Sequence, residues 1–198
     1  METYVDPAVS RQKFDRELAD YRKLEDDYIR RGWFLLKAEF PKVFVVFVAA
    51  RLNPACLVLG ALLDFTDYDY QPPSVVIVHP ITRVPYKFKE LPSKMPRMIL
   101  PPTPPAEAAQ GLVVVAPQPL MVAHSPDDVP FLCLPGVREY HNHPAHTGDL
   151  WPLHRKSGEG TLHFILSQIY KYGVEAIDSY SVELNVKITG LTQHTIPE

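Results

Sequence analysis

One segment in the second half of the chain gathers four residues that could act as a nucleophile, as acids and bases, or as metal ligands: Cys133, Glu139, His141 and His143. A thiolate is a strong nucleophile, and a histidine near its ordinary pKa accepts a proton at neutral pH. Pro130 and Pro135 flank the cysteine. Because proline disrupts regular structure, we predict that Cys133 lies on irregular, accessible backbone, as a nucleophile requires.

The spacing of the acid and the two histidines predicts a polar wall beside the cysteine. Glu139, His141 and His143 alternate with Tyr140 and Asn142. In an extended segment, residues two apart point to the same side, so these three would project together. A histidine would then accept a proton from an incoming amine, and Glu139 would orient its ring. Asn142 or a histidine N–H would stabilise a tetrahedral oxyanion.

The same atoms allow a metal site. One thiolate, one carboxylate and two imidazoles (Cys133, Glu139, His141 and His143) make an acceptable zinc set. A fully ligated Cys133 would be a poor thioester carrier, so the two roles are nearly exclusive. A third possibility is a noncatalytic binding module, in which the cysteine is only a small apolar residue. Cys56, in an apolar run, is predicted to pack in the core, whereas His146 and His154 are predicted to be loop residues outside the site.

Composition excludes several classes of protein. The net charge of −3 gives no general attraction to nucleic acid or to an anionic membrane. There are only two cysteines, so a reducing cytoplasm is expected rather than a disulfide-rich secreted setting. The first residues are acidic and lack an apolar signal core, and the apolar run 43–50 is too short to span a bilayer. No glycine-rich phosphate loop occurs, so energy from ATP would have to come through a partner.

The elements that must position these residues form an α+β pattern. Apolar residues at helical spacing predict helices at 10–31 and 161–172, with Ser10 as the first cap and Gly32 as the stop. Between them lie four strand-like runs separated by proline-containing breaks, at residues 33–40, 43–51, 55–65 and 74–78. Closely spaced strands favour an antiparallel meander. Alternation at 182–189 predicts a last strand.

The middle of the chain is rich in proline. Of the 21 prolines, 17 lie between Pro72 and Pro152. Because proline lacks an N–H donor, we predict extended segments and turns there. The expected organisation is a single domain over residues 1–198. It has an N-terminal helix, a four-stranded antiparallel meander, an irregular proline-rich active-site region with an insertion at about 80–130, and a C-terminal helix.

This order resembles the ubiquitin-conjugating (UBC) fold. Residues 57–80 resemble the family's third strand, acidic-aromatic turn and fourth strand, and Tyr70-Gln71-Pro72-Pro73 stands where the family has its Tyr-Pro-x-x-Pro-Pro motif. His124-Ser125-Pro126-Asp127 and Phe131-Leu132-Cys133-Leu134 resemble the His-Pro-Asn and Ile-Cys-Leu segments around the family's active site. Trp151-Pro152 resembles the segment leading into the family's next helix. The resemblance covers roughly residues 10–173.

The first proline of the family's motif is missing. Three further features depart from the family pattern: the stretch between Pro80 and His124 is long, the oxyanion asparagine is absent with Asp127 nearest to its place, and the gap from Cys133 to Trp151 is long. The spacing Cys133-x5-Glu139-x-His141-x-His143 also resembles a bacterial family predicted to bind metal and named for its Cys, Glu, His, His residues. That family occurs in bacterial ubiquitin-like operons, for which defence against phage is a frequent setting.

The resemblance implies a bacterial conjugating enzyme that carries a ubiquitin-like protein as a thioester on Cys133. A separate activating enzyme would load the cysteine, and an amine of an unidentified target would take the modifier. In ubiquitin-conjugating enzymes the first helix is where the activating enzyme docks. The resemblance therefore implies partner contacts for basic residues of the first helix, such as Arg11, Arg16 and Lys23.

Overall fold

The computed structural model describes residues 4–98 and 117–181, together with Gly190. Two helices are followed by four strands, an irregular segment of short elements, and a longer helix. This is the predicted α+β order, and it is compatible with the layout that the resemblance to conjugating enzymes implies. The strand predicted at 182–189 and part of the predicted insertion, residues 99–116, lie outside the described residues.

The helical segment predicted for residues 10–31 is two consecutive helices, α1 (Pro7–Lys23) and α2 (Glu25–Arg31). Asp6 caps α1, because its side chain accepts a hydrogen bond of 2.8 Å from the backbone two residues later. The prediction of Ser10 as the cap was wrong: Ser10 is buried inside α1. Gly32 ends α2 as predicted, with a φ of 91° that glycine adopts without strain.

The sheet is a four-stranded antiparallel meander with the strands in chain order: β1 (Trp33–Glu39), β2 (Lys42–Ala49), β3 (Cys56–Asp64) and β4 (Ser74–Val78). The strand prediction is confirmed. Pro41, Pro54 and the pair Pro72-Pro73 stand in the breaks, where the missing N–H does not interrupt a ladder.

Both faces of β2 are apolar and buried. Val43, Val45 and Phe47 belong to the main core, and Phe44 and Val46 belong to a smaller cluster on the other face. A strand buried on both faces reads as a continuous apolar run rather than an alternating one, which explains its sequence.

The last described helix, α5 (Leu162–Gly173), closes the main core. Four of its residues are buried at helical spacing, as predicted: Leu162, Ile165, Leu166 and Ile169. Thr161 caps it by accepting a bond of 3.3 Å from Phe164 N. A second cap comes from α1, where the buried carboxylate of Glu17 accepts 3.0 Å bonds from Leu162 N and from the Tyr68 hydroxyl.

The region after β4 consists of short elements: η1 (Phe88–Glu90), β5 (Pro96–Arg97), β6 (Gln118–Pro119), β7 (Met121–Val122), β8 (Phe131–Leu132), α3 (Arg138–Asn142), η2 (Pro144–His146) and α4 (Trp151–His154). β5 pairs with β6 and β7 pairs with β8, both antiparallel. In the part of the chain that the structure describes, no helix is both long and apolar enough to cross a membrane.

Candidate active site around Cys133

Cys133 directly follows β8, on backbone without regular structure, as predicted. Its N–H donates to Leu120 O at 2.7 Å, which fixes the residue to the neighbouring ribbon. Leu132 and Leu134 are buried on either side of it, whereas Cys133 itself is half-buried. The two leucines therefore anchor the segment and leave the thiol at the edge of the core.

The thiol of Cys133 faces a histidine side chain. Cys133 Sγ lies 3.7 Å from His146 Nε2, within the longer range of hydrogen bonds that involve sulfur. Burial raises the pKa of Cys133, and the nearby positive charge of Arg97 opposes that rise. Burial lowers the pKa of His146, and His143 beside it acts in the same direction. The pair is therefore a neutral thiol facing a neutral imidazole near pH 7.

The expectation that His146 is a loop residue outside the site was wrong. Pro144 begins the short helix η2, and His143 caps it by accepting a 3.3 Å bond from Ala145 N. This single turn carries His146 back toward the cysteine. The sequence does hold a signal for the turn, because His143-Pro144 places a capping side chain directly before a proline at the first helical position.

Tyr140 and Asp149 hold the histidine in place. The rings of Tyr140 and His146 stack with centroids 3.8 Å apart. The Tyr140 hydroxyl donates to Asp149 Oδ2 at 2.6 Å, and Asp149 Oδ1 pairs with His154 Nε2 at 2.5 Å. His154 in turn contacts Glu159 through its other ring nitrogen. His154, expected to be a simple loop residue, therefore belongs to the network behind the Cys133–His146 pair.

The predicted extended segment is a helix, which corrects the geometry of the polar wall. Residues 138–142 form α3, so Glu139, His141 and His143 do not share one side as an extended chain would require. Arg138 ties the start of this helix to the turn before β4, through its backbone to Pro73 O and through its side chain to Pro72 O and Thr66 O.

Each of the three predicted wall residues has a different environment. Glu139 accepts hydrogen bonds from the Ser74 hydroxyl and from Val75 N at the start of β4. His141 contacts Pro135 O with one ring nitrogen and Asp149 O at 2.8 Å with the other. Glu139 and His141 therefore brace the loop around Cys133.

His143 stacks between two rings, with centroids 5.1 Å from His124 and 5.0 Å from Phe131. Its ring centroid also lies 5.6 Å from that of His146. Asn142, predicted as an oxyanion donor, is exposed at the end of α3. Of the predicted partners of Cys133, His143 is thus the one in contact with the histidine that faces the thiol.

Metal ligands do not gather around the cysteine in the described residues. No group of three or more His, Cys, Asp or Glu side chains in residues 4–98 and 117–181 is arranged to hold a metal ion. Glu139 and His141 are bonded as described above rather than to the thiol. Zinc bound by Cys133, Glu139, His141 and His143 stays a prediction for direct measurement.

Asp127, the nearest match to the oxyanion residue, is exposed and pairs with Lys89 at 2.5 Å. Lys89 and Lys87 hold the pKa of its carboxyl below the usual range. Cys56 corrects a core prediction: it is half-buried at the first residue of β3, with Sγ 3.6 Å from Leu57 O.

The basic residues predicted to meet a partner lie exposed on α1. The Arg11 guanidinium lies 5.4 Å from the centroid of the Phe40 ring, and Lys23 pairs with Asp20 at 2.6 Å. Arg16 is also exposed. Their role in partner binding stays a prediction.

Comparison with known proteins identifies the family. Residues 5–177 match the Y4jH-like family, described as the Y4jH family. A relative from Sinorhizobium fredii (strain NBRC 101917 / NGR234), which bears the name "Uncharacterized protein y4jH", is 44% identical over 199 residues, covering 98% of this chain and 97% of that protein. The match includes every element of the candidate site, from the sheet to α5. The chain belongs to the Y4jH-like family.

Proposed function

We propose that this chain is a conjugating enzyme that accepts the acyl group of a ubiquitin-like protein as a thioester on Cys133 and passes it to an amine. The observation that carries the proposal is the 3.7 Å contact between Cys133 Sγ and His146 Nε2. A thiol beside a histidine whose ring is held by a third group is the general arrangement of an activated nucleophile. The third group here is Tyr140, stacked on the His146 ring.

The protonation states favour proton transfer during the attack of the sulfur over a thiolate–imidazolium pair formed beforehand. The pKa of Cys133 is raised by burial and that of His146 is lowered by burial, so little thiolate exists at neutral pH before substrate binds. His146, which is uncharged, can take the thiol proton as the sulfur attacks. Such a thiol resists unwanted alkylation and oxidation before the thioester substrate binds.

The transfer then runs in two balanced steps. The sulfur of Cys133 attacks the carbonyl carbon of the incoming thioester, and His146 takes the thiol proton. The donor's C–S bond breaks, and the donor thiolate leaves with that proton. In the second step an amine attacks the new thioester, its proton passes to His146, and the Cys133 sulfur leaves. The second step yields an amide and restores the starting thiol.

The proposal changes the roles first predicted for the neighbouring residues. His146 takes the base role expected of His141 or His143, because it is the one that contacts the thiol. His143 stays in the site as the ring packed beside His146. Glu139 fixes α3 to β4, and it acts by positioning the loop rather than by orienting the base.

Partners follow from the chemistry. A thioester is formed at the expense of ATP, so a separate activating enzyme has to supply the acyl group, and a bacterial ubiquitin-like operon is the expected source of both proteins. The exposed basic residues of α1 (Arg11, Arg16 and Lys23) are the expected docking surface for that enzyme. Free thiol chemistry of this kind fits a reducing cytoplasm.

The intrinsic reactivity of the pair gives the first test. The protein is mixed with a thioester of a short peptide ending in glycine, and mass spectrometry follows the acyl group. We expect acylation of Cys133, its loss in Cys133→Ala, and a fall of about 10²-fold or more in His146→Gln. His124→Gln, which also alters a stacked histidine, is the matched control and is expected to keep most of the rate. Equal rates in the wild type and His146→Gln would rule out the base role.

Two alternatives make different predictions. A zinc-binding accessory protein would carry stoichiometric zinc that is lost in Cys133→Ala, so zinc content is measured on the same preparations. A noncatalytic binding module would keep its partner and its activity in Cys133→Ala. Acylation of Cys133 contradicts a fully ligated thiol. Acylation whose rate depends on His146 contradicts an idle one, because simple thiol–thioester exchange needs no neighbouring histidine.

A further inference from the structure

Arg97 lies in the same small ribbon as the cysteine. It is the second residue of β5 and pairs with Gln118 of β6. Leu120, just beyond β6, donates to Met95 O at 2.9 Å and accepts from Cys133 N at 2.7 Å. Three chain segments therefore run side by side, with Arg97 on the first and Cys133 on the third.

Among the described residues, the guanidinium of Arg97 has a donor, Nε–H, that no other group accepts. Its Nε is buried and has no hydrogen-bond partner. Within residues 4–98 and 117–181, no ion pair or side-chain hydrogen bond is recorded for Arg97, although the side chain is half-buried. Because an unsatisfied buried donor is costly, it is rare in native proteins and calls for an explanation.

The positive charge of Arg97 acts on two groups of the candidate site. It lowers the pKa of both Cys133 and Tyr140, against the rise that burial causes in each. Two other polar groups among the described residues, Asp127 and the Tyr140 hydroxyl, are not free to stabilise negative charge. Asp127 is itself an anion held by lysines, and the Tyr140 hydroxyl is donated to Asp149.

We infer that Arg97 is a catalytic residue whose guanidinium, through its unpartnered Nε–H, binds the oxyanion formed when the Cys133 sulfur attacks a thioester carbonyl. The inference rests on the proposed function and assigns the oxyanion donor that Asn142 was first expected to supply. As the carbon–sulfur bond forms, the carbonyl π electrons move to oxygen, and the negative charge lies against the guanidinium. When the intermediate collapses, the carbonyl re-forms and the donor thiolate leaves, so Arg97 neither gains nor loses a proton.

The test separates oxyanion binding from an effect on the thiol. Arg97→Gln removes the charge, Arg97→Lys keeps it, and Arg30→Gln makes the same charge change on the exposed surface of α2, where Arg30 pairs with Asp27. Two rates are measured for each protein across pH: acylation of Cys133 by the peptide thioester, and alkylation by iodoacetamide. Alkylation passes through no oxyanion, so it reports only the thiol.

We expect Arg97→Gln to lower the limiting acylation rate, at pH values where the thiol is ionised, by about 10²-fold. Its limiting alkylation rate should stay within about 3-fold of the wild type, because the ionised sulfur itself is unchanged. The limiting acylation rate of Arg97→Lys should fall between those of the wild type and Arg97→Gln, and Arg30→Gln should match the wild type. If Arg97→Gln does not fold, the comparison of Arg97→Lys with the wild type carries the test.

The contrary results are distinct. Equal losses in acylation and alkylation would mean that Arg97 acts only on the thiol and would overturn the oxyanion role. An unchanged acylation rate in Arg97→Gln would do the same while leaving the proposed function intact. Failure of the wild type itself to become acylated would overturn the proposed function, and this inference would fall with it.

Discussion

The imidazole of His146 stacks on the ring of Tyr140 with centroids 3.8 Å apart and planes 20° apart, while its Nε2 faces the sulfur of Cys133 at 3.7 Å. The Tyr140 hydroxyl donates to Asp149, so the stack is itself tied to a charged group. The orientation of the His146 ring therefore depends on the Tyr140 ring and, through its hydroxyl, on the Asp149 carboxylate.

The stack can be tested by separating the Tyr140 ring from its hydroxyl. Tyr140→Phe keeps the ring and loses the bond to Asp149, so we expect acylation of Cys133 to fall by less than about 5-fold. Tyr140→Leu removes the surface on which His146 rests, and we expect a fall of about 10-fold or more. Tyr180→Leu, at an exposed ring, is the control. A Tyr140→Leu protein as fast as the wild type would show that the stack has no positioning role.

The raised pKa of Cys133 predicts that the alkylation rate rises at a higher pH than for an ordinary thiol. Burial disfavours the thiolate more than Arg97 favours it, so the rate should keep rising beyond the ordinary thiol value of 9.0. The rate is followed with iodoacetamide from about pH 6 to about pH 10.5, and Cys133→Ala supplies the background from Cys56. A midpoint well below the ordinary value would mean that Cys133 is already a thiolate at neutral pH, and the proton-transfer role of His146 would be unnecessary.

The buried carboxylate of Glu17 should matter for stability rather than for catalysis. Glu17→Ala leaves Leu162 N and the Tyr68 hydroxyl without their partner, so we expect a loss of about 2 to 4 kcal/mol in the free energy of unfolding. Urea unfolding measures the change. Glu39→Ala, which removes an exposed carboxylate paired with Lys37, should cost less than about 0.5 kcal/mol. Similar small losses in both variants would contradict the capping role of Glu17.

His154 gives the site a pH-dependent contribution to stability. Its hydrogen bond to Asp149, together with that to Glu159, raises the pKa of His154 above 6.5 in the folded protein. A raised pKa means that the folded state holds the proton more tightly, so the stabilisation is complete below the unfolded value and disappears as pH rises through the folded value. His154→Gln should therefore be less stable than the wild type at about pH 5.5. The difference in their free energies of unfolding should shrink by about pH 8.5. A difference that grows with pH would refute this sign.

The fold could be predicted because its elements are defined by local signals. Strand-like apolar runs and the breaks at Pro41, Pro54 and Pro72-Pro73 placed each of the four strands within two residues of the observed bounds. Gly32 ended the helical segment where a positive φ was needed. The cap was misplaced because Asp6 and Ser10 are both good capping residues, and only packing decides that Ser10 lies inside the helix.

The site was predicted less well because its geometry depends on contacts between distant segments. Alternating Glu139, His141 and His143 indicate an extended wall only if the backbone is extended, and this segment is a helix whose start Arg138 ties to the turn before β4. The cysteine was identified from its type and its flanking prolines. His146 was not, because its approach to the thiol follows from the turn at Pro144. Arg97 lies 36 residues before Cys133 (133 − 97), and the ribbon that joins them is not visible as a sequence pattern.

We propose above that Cys133 carries a ubiquitin-like protein as a thioester. The most direct measurement mixes the protein with ATP and with the activating enzyme and ubiquitin-like protein proposed as its partners, and separates the products with and without reductant. We predict a reductant-sensitive adduct that is absent in Cys133→Ala and becomes a reductant-resistant oxyester in Cys133→Ser. No adduct on the wild type, when the activating enzyme is shown to carry the ubiquitin-like protein, would contradict the proposed thioester role of Cys133.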